Sequence, residues 1–97
     1  MEKRQYYVVL YDFYGNLLNE KQQQYFEYYY FDNLSLQEIS EELNVSRNAI
    51  HKSLKIIEDK LEFYEDKLKL YQKQQQLNLI LEKIEDNNIK EQIKKLN

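Results

Sequence analysis

The chain has 97 residues, 14 Lys and Arg against 17 Asp and Glu, no cysteine, no proline and one glycine. That length allows one domain with one modest core, and the lack of cysteine excludes disulfides, thiolate metal sites and a cysteine nucleophile. No apolar run approaches the ~20 residues of a membrane helix, and Met1-Glu-Lys-Arg leads into no apolar signal segment, so a cytoplasmic protein without membrane insertion is expected.

Arg4 to Leu18 reads as the first helix, because Tyr7, Leu10, Tyr11, Tyr14 and Leu18 fall at 3-4 spacing on one stripe. Asn19-Glu-Lys-Gln22 fits a capping box and opens a second helix, roughly Glu20 to Phe31, with Tyr25, Phe26, Tyr29 and Tyr30 as its packing face. Eleven of the fourteen aromatic residues lie in these first 31 positions. Aromatics of this density can stack on single-stranded RNA. Here only Lys3, Arg4 and Lys21 stand among five acids, so an aromatic core between helices is the better reading.

Ser35-Leu-Gln-Glu38 is a second capping box, opening a short helix from Leu36 to Leu43. Asn44-Val-Ser46 is a turn, with Ser46 placed to cap the next helix. From there Ile50, Leu54, Ile57, Leu61, Tyr64, Leu68 and Tyr71 form a heptad seam, while Ile56, Phe63, Leu70 and Leu77 repeat every seven residues on a neighbouring face. A helix with two apolar lines needs two partners. One is the core; the other, at Ile56, Phe63 and Leu70, is either the C-terminal tail folding back or a second subunit, which makes a homodimer an open reading.

The polar stretch Gln72 to Gln76 marks a hinge, followed by a helix through Leu77, Ile80, Leu81 and Ile84 and a last one through Ile89, Ile93 and Leu96, with Asn87-Asn88 between them. Residues 1–71 then make a helix-turn-helix domain with an extended fourth helix, and 72–97 a helical tail. Glu65–Lys69, Asp86–Lys90 and Glu91–Lys95 are spaced as i,i+4 supports. With no strand pattern, the class is all-α: a helix-turn-helix bundle with a long recognition helix and short C-terminal helices.

The stretch from Leu36 to Leu54 meets the residue requirements of a helix-turn-helix. Ile39 and Leu43 bury the first helix, Ser40 is small at the crossing, and Asn44 tolerates a left-handed backbone. Val45 plugs the turn, and Ile50 and Leu54 bury the second helix. Outward-facing positions are Arg47, Asn48, His51, Lys52 and Lys55. Arginine pairs with guanine and asparagine with adenine, lysines suit phosphates, and Ser46 to Lys55 carries three cations and no acid. A nucleic-acid-binding set of Ser46, Arg47, Asn48, His51, Lys52 and Lys55 follows. Glu38, Glu41 and Glu42 oppose it on the helix that would cross the phosphate backbone. His51 is the only histidine, without companions for metal binding or catalysis, so no enzyme, metal or cofactor is expected.

Residues 11–68, with Asp12-Phe13-Tyr14-x-x-Leu17-Leu18, Tyr28-Tyr-Tyr-x-Asp-x-Leu-Ser-Leu-x-Glu-Ile39 and Val45-Ser-Arg-x-Ala49, resemble the YlxM-like helix-turn-helix proteins associated with the signal recognition particle. The turn alone is also similar to promoter-reading region 4 of sigma factors. The resemblance implies an all-helical fold, a dimeric state as one option, and a partner in the particle's RNA or its GTPase, Ffh. A DNA regulator and a protein-interaction module remain the alternatives. Ser46, Arg47 and Ala49 carry over onto the family's turn element, and His51 stands where the family often has an aromatic.

Overall fold

In a computed structural model, residues 1–96 are described; Asn97, the end of the expected 72–97 tail, lies outside the described residues. The order among the described residues is α1 (Lys3–Tyr14), a 3₁₀ turn (Gly15–Leu17), α2 (Glu20–Tyr30), α3 (Leu36–Leu43), α4 (Arg47–Leu68), α5 (Leu70–Glu82) and α6 (Asn87–Lys95). The fold is all-α, and no described helix is long and apolar enough to cross a membrane.

Helix α4 is the spine. Its inner stripe of Ile50, Leu54, Ile57 and Leu61 is buried against Tyr7, Leu10 and Tyr14 of α1, Tyr25, Phe26 and Tyr30 of α2, and Ile39 of α3. The aromatic residues do pack the core: the Phe26 ring lies between those of Tyr11 and Tyr30, with centroids 4.2 and 4.3 Å away. Arg4 ties α1 to the end of α2, donating to the Tyr29 carbonyl at 2.6 Å and to Asn33 at 2.9 Å.

A row of phenol–carboxylate bonds joins the early helices to α4. Tyr30 donates to Glu58 at 2.6 Å, Tyr7 to Glu62 at 3.1 Å and Tyr14 to Glu65 at 2.6 Å. The 4-and-3 spacing of those glutamates places all three along one edge of α4. A buried phenol needs a partner for its hydroxyl, and the carboxylates supply it while their other oxygens stay near water.

Both capping boxes form, Asn19 with Gln22 and Ser35 with Glu38. Other expectations change. The first helix stops at Tyr14 rather than Leu18, because the chain tightens into the 3₁₀ turn beneath the Tyr11 ring, where a side chain on Gly15 would meet ring atoms at 3.1 Å. Gln23 donates to the carbonyls of Gly15 and Leu18, which the early ending leaves free, and Leu18 still reaches the core.

The hinge also moves. The polar run Gln72–Gln76 lies within α5, and the break falls at Lys69, which adopts a left-handed conformation at φ 56°. Tertiary bonds hold this break. The Leu70 N–H donates to the Tyr14 hydroxyl at 3.0 Å, and the Tyr71 and Gln72 N–H groups donate to the Glu65 carboxylate at 3.1 and 3.2 Å. Glu65 therefore caps α5, and it forms no ion pair with Lys69. The other two expected pairs are likewise absent among the described residues: Asp86 instead caps α6 through the Asn88 and Ile89 N–H groups, and the ion pairs that form are Lys55–Asp59 and Lys67–Asp66. The second tail break precedes Asn87-Asn88, which begin α6 rather than interrupt it.

A left-handed conformation costs a non-glycine residue roughly 1 kcal/mol. Lys69→Gly is therefore expected to stabilise the fold by about 0.5–1 kcal/mol, after allowing for the looser unfolded chain. The measurement is a urea titration, with a higher midpoint at unchanged slope; Lys69→Ala, which keeps the strain, should show no gain.

Candidate nucleic-acid interface

The turn between α3 and α4 is built locally. Asn44 sits in the left-handed region at φ 55° and ψ 45°, as its position requires, and the Val45 N–H closes back onto the Ser40 carbonyl at 3.1 Å, the closure of a Schellman turn. Ser40 is buried at the crossing, its hydroxyl donating to the Gln37 carbonyl at 2.7 Å. Val45 does not plug the turn: the left-handed step at Asn44 carries the chain outward, and its side chain stays 36% exposed. The Ser46 hydroxyl oxygen accepts from the Ala49 N–H at 3.0 Å and starts α4.

Ser46, Arg47, Asn48, His51, Lys52 and Lys55 all lie exposed on the first turns of α4. Arg47, Asn48 and His51 line one shallow depression together with Leu36, the first residue of α3. Leu36 was not among the expected site residues; as a leucine on an apolar-periodic helix it carries a packing signal only. Helix geometry leaves the N–H groups of Arg47 and Asn48 without intrahelical partners, and the positive end of the α4 dipole adds to the side-chain charge there. Such an arrangement holds an anion by hydrogen bonds and presents an arginine and an asparagine beyond it.

The basic face is smaller than the charge count implies. Lys55 pairs with Asp59 at 3.1 Å, both side chains well exposed, and the hydrogen bond and charge of that carboxylate raise the Lys55 pKa. The i,i+4 spacing of the pair was readable in advance. A neighbouring depression runs from His51 past Lys55 to Glu58, so the cationic surface ends against an acid. On α3, Glu38, Glu41 and Glu42 are exposed. The Ser35 backbone N–H bonds the Glu38 carboxylate and holds its pKa below the usual value.

Across α4, the second apolar line stays open: Ile56 is 54%, Phe63 56% and Leu70 41% exposed, and the α5–α6 tail does not cover it. Among the described residues no group of three His, Asp or Glu side chains could hold a metal ion.

Residues 1–97 match the family described as "Putative helix-turn-helix protein, YlxM / p13 like". UPF0122 protein TTE1463 of Caldanaerobacter subterraneus is 48% identical over 78 residues, covering 80% of this chain and 67% of its own length. UPF0122 protein MYPE4850 of Malacoplasma penetrans is 47% identical over 88% of the chain and 79% of its own. A Streptococcus pneumoniae relative is 43% identical over 96% of the chain and 89% of its own. With a match along its whole length and relatives of this similarity, the chain belongs to the YlxM/p13-like helix-turn-helix family, which is not a family of enzymes.

Proposed function

We propose that this protein is a nucleic-acid-binding adaptor of the signal recognition particle pathway, working in the cytoplasm on the particle's RNA beside its GTPase, Ffh. The observation that carries this reading is the capped, exposed start of α4, where Arg47, Asn48, His51 and Lys52 stand with no acid between Glu42 and Glu58. Arg47 and Asn48 would meet base edges, and Lys52, Lys55 and Ser46 the backbone. The carboxylates of α3 count against a promoter, whose phosphates that helix would cross, so a sequence-specific DNA regulator fits less well. A folded RNA offers irregular backbone that need not pass α3.

The test is binding of the particle RNA by wild type and by Arg47→Ala with Lys52→Ala across a salt series. Expected are a loss of at least about tenfold at low salt and a salt slope shallower by about 1.5, as two lost phosphate contacts imply. Equal affinity and slope in the variant would end the reading. A second reading is a protein-interaction module that reads no nucleic acid, favoured by the exposed Glu38, Glu41 and Glu42 and by the neutralising Lys55–Asp59 pair. Capture of Ffh that survives nuclease treatment would support this second reading.

A further inference from the structure

The described chain is long for its mass, 55 × 25 × 23 Å with a radius of gyration of 17.1 Å, against about 12.5 Å for a compact chain of this length. Helix α4 runs along it for 22 residues. Its outer face carries Ile56 and Phe63, each more than half exposed, and Leu70 stays open just past the break. At 100° per residue, Lys60 and Lys67 stand about 50° to one side of Phe63, and Asp59 and Asp66 about 50° to the other. All four are exposed. An apolar line edged by cations on one side and anions on the other is a half-interface whose missing half has the same chemistry reversed.

We infer that the Ile56–Phe63 face of α4 is an interface with a second copy of this chain, the two α4 helices running parallel about a twofold axis. The edge charges decide the direction. A twofold axis along the helices brings the lysine edge of one copy against the aspartate edge of the other, on both sides of the seam. An antiparallel pair instead sets lysine against lysine and aspartate against aspartate. The present partners of these aspartates, Lys55 for Asp59 and Lys67 for Asp66 at 3.9 Å, are loose surface contacts of little energy and do not block the exchange.

The pairing bears on the basic face. Lys52 stands on the same line one turn before Ile56, so a parallel pair brings the two Lys52 amines together at the end that carries Arg47 and Asn48. Their repulsion ends the seam there and turns the ammonium groups outward. The dimer then offers twice the cations of one chain on a single end. The pairing itself needs no nucleic acid and is measured on the free protein, so its failure leaves the RNA reading standing, and the reverse holds.

The test uses the full chain, which has no native cysteine. Sedimentation should give twice the chain mass for wild type and a single chain mass for Phe63→Asp, with unchanged helical circular dichroism. Ile56→Cys alone and Phe63→Cys alone should each oxidise to a covalent dimer. A wild-type monomer at high micromolar concentration overturns the proposal and leaves the face to another protein. Crosslinks that form only between Ile56→Cys and Phe63→Cys chains in a mixture overturn the parallel direction. Ile56→Glu should dissociate the pair as Phe63→Asp does, and a dimer that persists in both variants places the interface elsewhere.

Discussion

Replacing Phe26 with alanine is expected to remove about 3–5 kcal/mol of stability, a large share of the roughly 5–15 kcal/mol that holds a domain of this size. The ring is fully buried. It lies between Tyr11 at 4.2 Å and Tyr30 at 4.3 Å, and meets Phe31 edge-on at 5.8 Å. Truncation removes the apolar transfer energy and leaves a cavity that three stiff rings cannot collapse into, so the cost belongs at the upper end. Urea denaturation followed by circular dichroism reads the loss as a lower midpoint. A change below about 1 kcal/mol would mean that the early helices are held by something other than this aromatic stack. Phe31→Ala, at a ring 45% exposed, should cost much less.

Alkaline pH is expected to unfold the protein from within. Burial and the bond to Glu65 push the Tyr14 hydroxyl up to about 12 from an ordinary 10.0. Burial first, and then the bonds to Glu62, Glu27 and Glu58, raise Tyr7, Tyr11 and Tyr30 further. A phenol whose pKa is higher folded than unfolded favours the fold in its neutral form. That contribution is complete below pH 10 and falls as the pH rises through the folded value. The urea midpoint should therefore decline steeply between pH 10 and about 12, with part of the tyrosinate absorbance appearing only as the fold is lost. Tyr14→Phe removes one such proton, so its midpoint should fall less steeply over the same range, although the variant starts lower for want of the bond to Glu65. A midpoint independent of pH up to 12 would show that the phenols ionise without leaving their sites.

The parts of the fold that were legible in the sequence are those that short spacing encodes. Ser35 with Glu38, Asn19 with Gln22, Asn44 at the turn and Ser46 before the long helix each act within a few residues, and each stands where expected. The end of α1 was not legible, because the apolar stripe continues to Leu18 although the helix tightens at Gly15. Nor was the break at Lys69: the pattern through Tyr64, Leu68 and Tyr71 suits an unbroken helix, and contacts from Tyr14, more than fifty positions away, impose the interruption. The phenol–carboxylate row escaped for the same reason, since no local rule pairs Tyr7 with Glu62. In the candidate interface, exposure of Arg47, Asn48, His51 and Lys52 followed from helical phase alone. The part of Leu36 in its wall depended on how α3 meets α4, which no spacing states.

Glu65 has a mechanical meaning. One carboxylate receives the Tyr14 hydroxyl from the core and the first amides of α5 from the tail, so it works as the pivot of a lever. The arm is 13 residues long, about 20 Å. A tilt of some 10° at Glu65, within the give of two hydrogen bonds, sweeps the far end of α5 by about 3.5 Å, close to the diameter of an atom. The direction in which the C-terminal helices point is thus set by a single side chain in the body of the protein, and small repacking around Tyr14 is amplified into displacement at the other end of the molecule.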